Sequence, residues 1–327
     1  MKTWQRIKSN PKLLDRYLVR EKVVDAIRLF FKTQGFHEVS TPILVPVPSI
    51  EPNLEVFQTE LRTSKGLKRK SFLIMSPEFS IKKLLAAGVG NCFEIAKCFR
   101  NEEEVSFLHN PEFTMLEWYR INADYKDVMK DFEQLFTQII KDVNPKVNLS
   151  KWRYQGETYD LSAPWPRISF KEAFKKYAGK RIEDVKDEDF YQIFFNDIEP
   201  ELRKSHKPAI VYDYPISQAA LARKKESDPR FAERFEVFLA GAELGNCFSE
   251  LTDAKEQKRR FEMDLVERKR LGKTVYPIDE DLIEALKEGI PPVSGIAVGV
   301  DRLVMLAADA PSIADTLFFP AKEMFDL

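Results

Sequence analysis

Apolar residues recur at a helical period between Pro11 and Phe36, at Leu14, Leu18, Ile27, Leu29, Phe30 and Phe31, with charges between them. Gly35 supplies the stop. Val39-Ser-Thr-Pro42 then enters an extended segment, where the proline suits an edge or an interface. Leu44 to Lys70 is rich in proline and charge with little periodicity, which predicts a loop and a ragged hairpin. Leu73 to Glu78 reads as the end of a strand, and Phe79 to Ala87 as an amphipathic helix. Asn91 to Phe99 is a strand, and a polar loop closed at Pro111 leads to a second apolar run, Phe113 to Trp118. Asp124 to Val143 carries a helical stripe, Val128, Phe132, Leu135, Phe136 and Ile139. From about 144 to 208 the pattern loosens into short pieces rich in Lys, Glu and Phe, expected as a helical insertion within a single domain, 1–327. Ile210 to Pro215 has the β-branched and aromatic content of a buried strand. Ala254 to Leu271 is a charged helix, and Arg302 opens another that packs by Leu303 and Leu306.

Composition narrows the class without choosing the chemistry. The 51 Lys and Arg nearly cancel 52 Asp and Glu, so no global field draws in nucleic acid, and tight, general tRNA binding is not expected. Three cysteines without a CxxC point to a reducing compartment and no structural zinc. No apolar signal core or membrane-length run appears, which predicts a cytoplasmic protein that needs no membrane.

Candidate chemistry gathers in three stretches. The first runs from Phe99-Arg-Asn-Glu to Phe113-Thr-Met-Leu-Glu-Trp-Tyr119. Two extended segments joined by a tight loop would bring Arg100, Glu102 and Phe113 together. A guanidinium forks onto phosphate and an aromatic ring stacks on a flat heterocycle, which is the equipment for holding a nucleotide. The second stretch holds Glu243 and Glu250, an odd number of residues apart, so a continuous strand would point them to opposite faces. Gly245-Asn246 between them can supply a bulge that restores one face. Two hard carboxylates beside a triphosphate suit Mg²⁺. The third is Gly295 to Arg302, where small residues permit close backbone approach and Arg302 adds a second guanidinium.

"FRNE…HNPEFTMLE" closely resembles motif 2 of class II aminoacyl-tRNA synthetases in their lysyl branch, and Gly295 to Leu306, "GxxxGxDRxxML", resembles motif 3. The helix and strand before Pro42 resemble motif 1, which implies a homodimer interface there. The resemblance runs from about Leu14 to Pro320 and is loosest at Leu44–Lys70 and 144–208. It implies an α+β fold, a mostly antiparallel sheet flanked by helices, and an ATP-dependent, AMP-forming ligase. It assigns ATP to Arg100, Asn101, Glu102, Asn110, Phe113, Glu243, Leu244, Gly299 and Arg302, with Arg100, Arg302 and Glu243 catalytic. Arg100 would neutralise the α-phosphate, Arg302 would hold the γ-phosphate, and Phe113 would stack on adenine. Ser76, Glu78, Tyr119, Asn246, Glu250 and Ala297 would line the amino-acid pocket, and Mg²⁺ would sit on Glu243 and Glu250. Glu78 stands where the lysyl branch binds a substrate amine. Only a neighbouring role falls to His109. Cys247 stands where relatives usually have glycine, a change expected to reshape the pocket floor.

The acceptor of the activated acyl group is a separate question. Few residues precede the first catalytic helix, leaving no room for an anticodon-binding β-barrel. Pro215-Ile-Ser-Gln-Ala-Ala-Leu-Ala222 and Ala297 resemble the elongation factor P lysine ligases rather than the lysyl-tRNA synthetases. These features imply transfer of (R)-β-lysine, or lysine, to a lysine side chain of elongation factor P. The alternatives are a minimal enzyme acylating tRNA or a small molecule, and a non-catalytic amino-acid-binding paralogue.

Overall fold

Period-two alternation sorts the strand residues onto two faces that carry different chemistry. The computed structural model describes residues 2–326. Helices α1 (Thr3–Ser9) and α2 (Leu13–Thr33) precede β1 (His37–Glu38), β2 (Leu44–Val45), β3 (Gln58–Arg62) and β4 (Lys68–Leu73). Next come α3 (Glu78–Ala86), β5 (Cys92–Phe99), β6 (Glu112–Ile121) and α4 (Tyr125–Val143). The middle of the chain forms β7 (Trp152–Tyr154), β8 (Glu157–Tyr159), β9 (Arg167–Ser169), α5 (Phe170–Tyr177), α6 (Phe190–Ile193) and α7 (Glu199–Arg203). The last third supplies β10 (Ala209–Pro215), β11 (Phe231–Leu239), β12 (Ala242–Ser249), α8 (Ala254–Arg270) and α9 (Glu280–Glu288). It closes with β13 (Val293–Gly299), α10 (Val300–Ala307) and α11 (Ala321–Met324). No helix is long and apolar enough to cross a membrane among the described residues.

Eight strands form the main sheet in the order β1-β5-β6-β13-β12-β11-β10-β9, antiparallel except for the parallel pairs at its two ends. The fold is α+β, as expected. One face, with Phe93, Leu116, Trp118, Ile296, Val298, Phe235 and Val237, is buried against α2, α4 and α10. Helix α4 forms as its stripe predicts: Val128, Phe132, Leu135, Phe136 and Ile139 are all buried, and the Asp124 carboxylate caps it by accepting from the Lys126 and Asp127 amides. Helix α2 departs from expectation. Its buried side is Tyr17, Val23, Ala26, Ile27 and Phe31, whereas Leu14, Leu18 and Leu29 are exposed. The helix carries two apolar stripes, and only one meets the sheet. Segment 144–208 is also more mixed than a helical insertion: β7 pairs with β8, and β9 extends the main sheet beside β10. The loop-and-hairpin reading of Leu44–Lys70 becomes a small sheet, β2-β4-β3.

Candidate active site

The opposite face of the main sheet is lined with charge. Glu94, Glu117, Ala297, Asn246 and Glu236 sit side by side on five neighbouring strands. The row beside it reads Tyr119, Gly295, Phe248 and Arg234. Glycine is required at 295: a Cβ there would lie 2.3 Å from Tyr119 Cε1 and 2.9 Å from Glu250 Oε1. The phenol ring crosses the sheet over the bare backbone. Opposite Val237 and Phe238 of β11 the register slips from Gly245 to Glu243, so Leu244 of β12 is the extra residue of a bulge. The bulge brings Glu243 back to the face of Asn246, as the odd spacing to Glu250 required. Leu244 itself turns into the core, so its side chain does not reach the charged face.

One end of this face is a pocket of acids. Lys82 is buried between two of them, 2.6 Å from Glu78 Oε1 and 2.7 Å from Glu250 Oε2. Ser76 Oγ donates to Glu117 Oε1 at 2.5 Å, and the Tyr119 hydroxyl donates to Glu117 Oε2 at 3.0 Å. Burial, then the charge of Glu78, pushes Glu117 up to about 8. Burial likewise lifts Glu250 to about 8, with Lys82 opposing it. For Lys82 burial works against the ammonium, but Glu250 and Glu78 more than offset it and hold its pKa above the ordinary lysine value. Three carboxyl groups facing one internal ammonium gain an excess of negative charge as Glu117 and Glu250 ionise near pH 8, and a cationic ligand would neutralise it and favour that ionisation.

The other end carries the guanidinium groups. Arg100 lies 5.1 Å over the Phe113 ring and 3.5 Å from Glu103. Arg302 donates from Nη1 to the Glu243 carbonyl at 2.6 Å, and its Nη2 is 3.0 Å from His109 Nε2. Burial depresses the pKa of Arg302, and Arg100 adds to the effect while Glu243 opposes it. The two arginines therefore share one electrostatic site. Glu243 is lifted to about 7 by burial and then by Glu236, with Arg302, Arg234 and Arg100 opposing. Arg234 pairs with Glu236 and donates from Nε to Asn246 Oδ1 at 3.1 Å.

The remaining sequence-predicted residues fall at varied distances from this centre. Asn110 is spent on structure, donating to the Glu112 carbonyl and accepting from the Ala321 amide. Glu102 has φ 58° and its exposed carboxylate lies 3.9 Å from Lys273. The Asn101 amide bonds to the Glu55 carbonyl at 2.9 Å. Gly299 caps α10 beneath Arg302. Glu243 and Glu250 share a face but not a partner: Glu250 is held by Lys82, and the carboxylate that presses on Glu243 is Glu236. The expectation for Cys247 is corrected, because its side chain lies fully buried in the helix-covered core, away from the pocket floor. Glu117, Lys82 and Glu236 escaped the sequence reading, whereas the small-residue stretch that begins at Gly295 already signals close backbone approach. Counting back two positions from Tyr119 reaches Glu117, and one helical turn from Glu78 reaches Lys82.

Residues 2–323 match the model of the class II tRNA synthetases of the D, K and N type. The chain belongs to the class II tRNA synthetase family. A lysine–tRNA ligase of Moorella thermoacetica is 34% identical over 333 residues, covering 95% of this chain and 66% of that protein. The chain thus spans about two thirds of that relative's length. Elongation factor P–(R)-β-lysine ligases of Salmonella paratyphi A and Salmonella arizonae are each 41% identical over 326 residues, covering 97% of both chains.

Proposed function

We propose that the chain is an ATP-dependent ligase that activates (R)-β-lysine, or lysine, as an aminoacyl-adenylate and transfers it to a lysine side chain of elongation factor P. The observation that carries this reading is the pairing, on one sheet face, of Arg100 and Arg302 with the buried acids Glu78, Glu117 and Glu250. The end-to-end similarity to elongation factor P ligases supports the acceptor. The substrate carboxylate attacks the α-phosphate, and pyrophosphate leaves. A lysine amine then attacks the acyl carbon, forming an amide and releasing AMP. Positioning and charge neutralisation dominate such transfers. Arg100 steadies the α-phosphate, Arg302 the leaving end, and Phe113 the adenine. Glu243 and Glu236 repel one another across the sheet, which is the donor set a hard dication relieves. Mg²⁺ bound there would supply charge neutralisation to the phosphates.

Incubating the protein with ATP, Mg²⁺, each lysine isomer and elongation factor P is expected to add one lysyl mass to the factor. Labelling of tRNA alone would overturn the assignment of the acceptor, and would favour the second reading that similarity to a lysine–tRNA ligase suggests. Selection between isomers is assigned to Ala297, whose methyl sits on the pocket face between Asn246 and Glu117. Ala297→Gly is expected to improve kcat/KM for α-lysine relative to β-lysine by about tenfold, the worth of one methyl group. An unchanged ratio would remove Ala297 as the selector. Gly295→Ala forces Tyr119 to move at a cost of about 1–3 kcal/mol, so the amino-acid KM is expected to rise about tenfold while that for ATP holds. An unchanged amino-acid KM would place Tyr119 outside the binding contacts. The exposed stripe Leu14, Leu18 and Leu29, with the exposed Ile43 and Leu44 that follow Pro42, supports a homodimer through this side.

A further inference from the structure

The loop between β2 and β3 is anchored from far along the chain. Arg268, fully buried on α8, donates to the carbonyls of Glu51 and Leu54 and pairs with the Glu55 carboxylate at 3.3 Å. The Tyr276 hydroxyl donates to the Ser49 carbonyl at 2.9 Å, and the Thr274 amide donates to Glu55 Oε2 at 3.0 Å. Ile50 and Val56, on either side, are buried in the apolar cluster that contains Phe79 and Tyr119. The Asn101 amide ties Glu55 to the arginine loop. So much anchoring fixes the backbone of Glu51, in a loop packed with Phe79 and Tyr119 on one side and tied to the residue after Arg100 on the other.

Its carboxylate has no matching use. Among the described residues, no side-chain hydrogen bond or ion pair holds it. The charged groups it feels come from four separate elements: Glu78, Arg100, Asp264 and Arg234. A half-buried acid held on a rigid loop, between the acids of the pocket and the arginine of the phosphate site, is poised for a cation supplied from outside. We propose that Glu51 is a further specificity-determining residue, receiving the substrate ammonium group that lies nearer the reacting carboxylate. The inference rests on the proposed function and deepens it: Glu117, Glu250 and Tyr119 take the distal amine, and Glu51 with Glu78 takes the proximal one.

The test compares substrates that differ only in that amine. ATP–pyrophosphate exchange is measured for β-lysine, α-lysine and 6-aminohexanoate, which lacks it, with wild type, Glu51→Gln and Glu51→Asp. Glu51→Gln is expected to raise the KM for the preferred lysine isomer about 10- to 100-fold, the worth of a charged hydrogen bond, and to shrink the preference over 6-aminohexanoate by the same factor. Glu51→Asp is expected to recover part of both, and thermal melting confirms that each variant is folded. An unchanged preference in folded Glu51→Gln would overturn the assignment of Glu51 alone. So would unchanged exchange with slower transfer to elongation factor P, which would place the acid at the acceptor. Wild-type exchange with neither lysine isomer would overturn the proposed function and this inference together.

Discussion

Arg302→Ala is expected to slow adenylate formation by about 100- to 1,000-fold, the cost typical of removing one preorganised donor from a developing charge. Arg302 is well placed for so large an effect. It is mostly withdrawn from water, shares its field with Arg100, and is steadied by the Glu243 carbonyl and His109. The loss should fall on kcat more than on the amino-acid KM, because the acids proposed to hold the amine lie at the other end of the charged face. Arg302→Lys keeps the charge but not the fork, and is expected to restore only part of the rate. Pre-steady-state measurement of AMP formation separates these effects from product release. Equal losses in the KM for ATP and for the amino acid, with kcat intact, would make Arg302 a structural residue.

Lys82→Met should produce the largest change in stability. The substitution removes the ammonium between Glu78 and Glu250 and leaves two buried carboxylates facing each other. Breaking a buried pair in this way costs about 3–5 kcal/mol. The sign of its pH dependence follows from the raised acids. Glu117 and Glu250 are lifted from 4.5 to about 8, so between those values the folded chain binds more protons than the unfolded one. Stability therefore falls as pH rises through that window. Without Lys82 the fall steepens, and protonation at the acid end of the window should recover much of the loss. Thermal midpoints of wild type and variant across this range check both statements, and a constant difference at every pH would contradict them. The wild type should also regain stability near pH 8 when a lysine isomer is added, because its ammonium groups meet the newly ionised acids.

Local information carried much of this site. Arg100 opposite Phe113 follows from two strands and a tight turn, and the shared face of Glu243 and Glu250 follows from a parity break that only a bulge repairs. Other features depend on tertiary contact. The Lys82–Glu78 pair follows from one helical turn, but the Lys82–Glu250 pair needs α3 to lie against the end of β12, and no spacing along the chain predicts that approach. The loop around Glu51 reads as structureless because its order comes from Arg268, 217 residues later. Helix α2 misleads for a different reason: periodicity identifies apolar stripes but does not say which one meets the sheet. Cys247 is legible in the sequence, since alternation from Asn246 already turns it toward the core.

In the proposed reaction a lysine-type carboxylate attacks the α-phosphate of ATP between the arginines and the acid pocket. Its most direct test uses β-lysine or lysine labelled with ¹⁸O in the carboxylate, incubated with ATP, Mg²⁺, elongation factor P and the protein. One labelled oxygen is expected in the AMP released and none in pyrophosphate. Unlabelled AMP, or ADP and phosphate in its place, would contradict it.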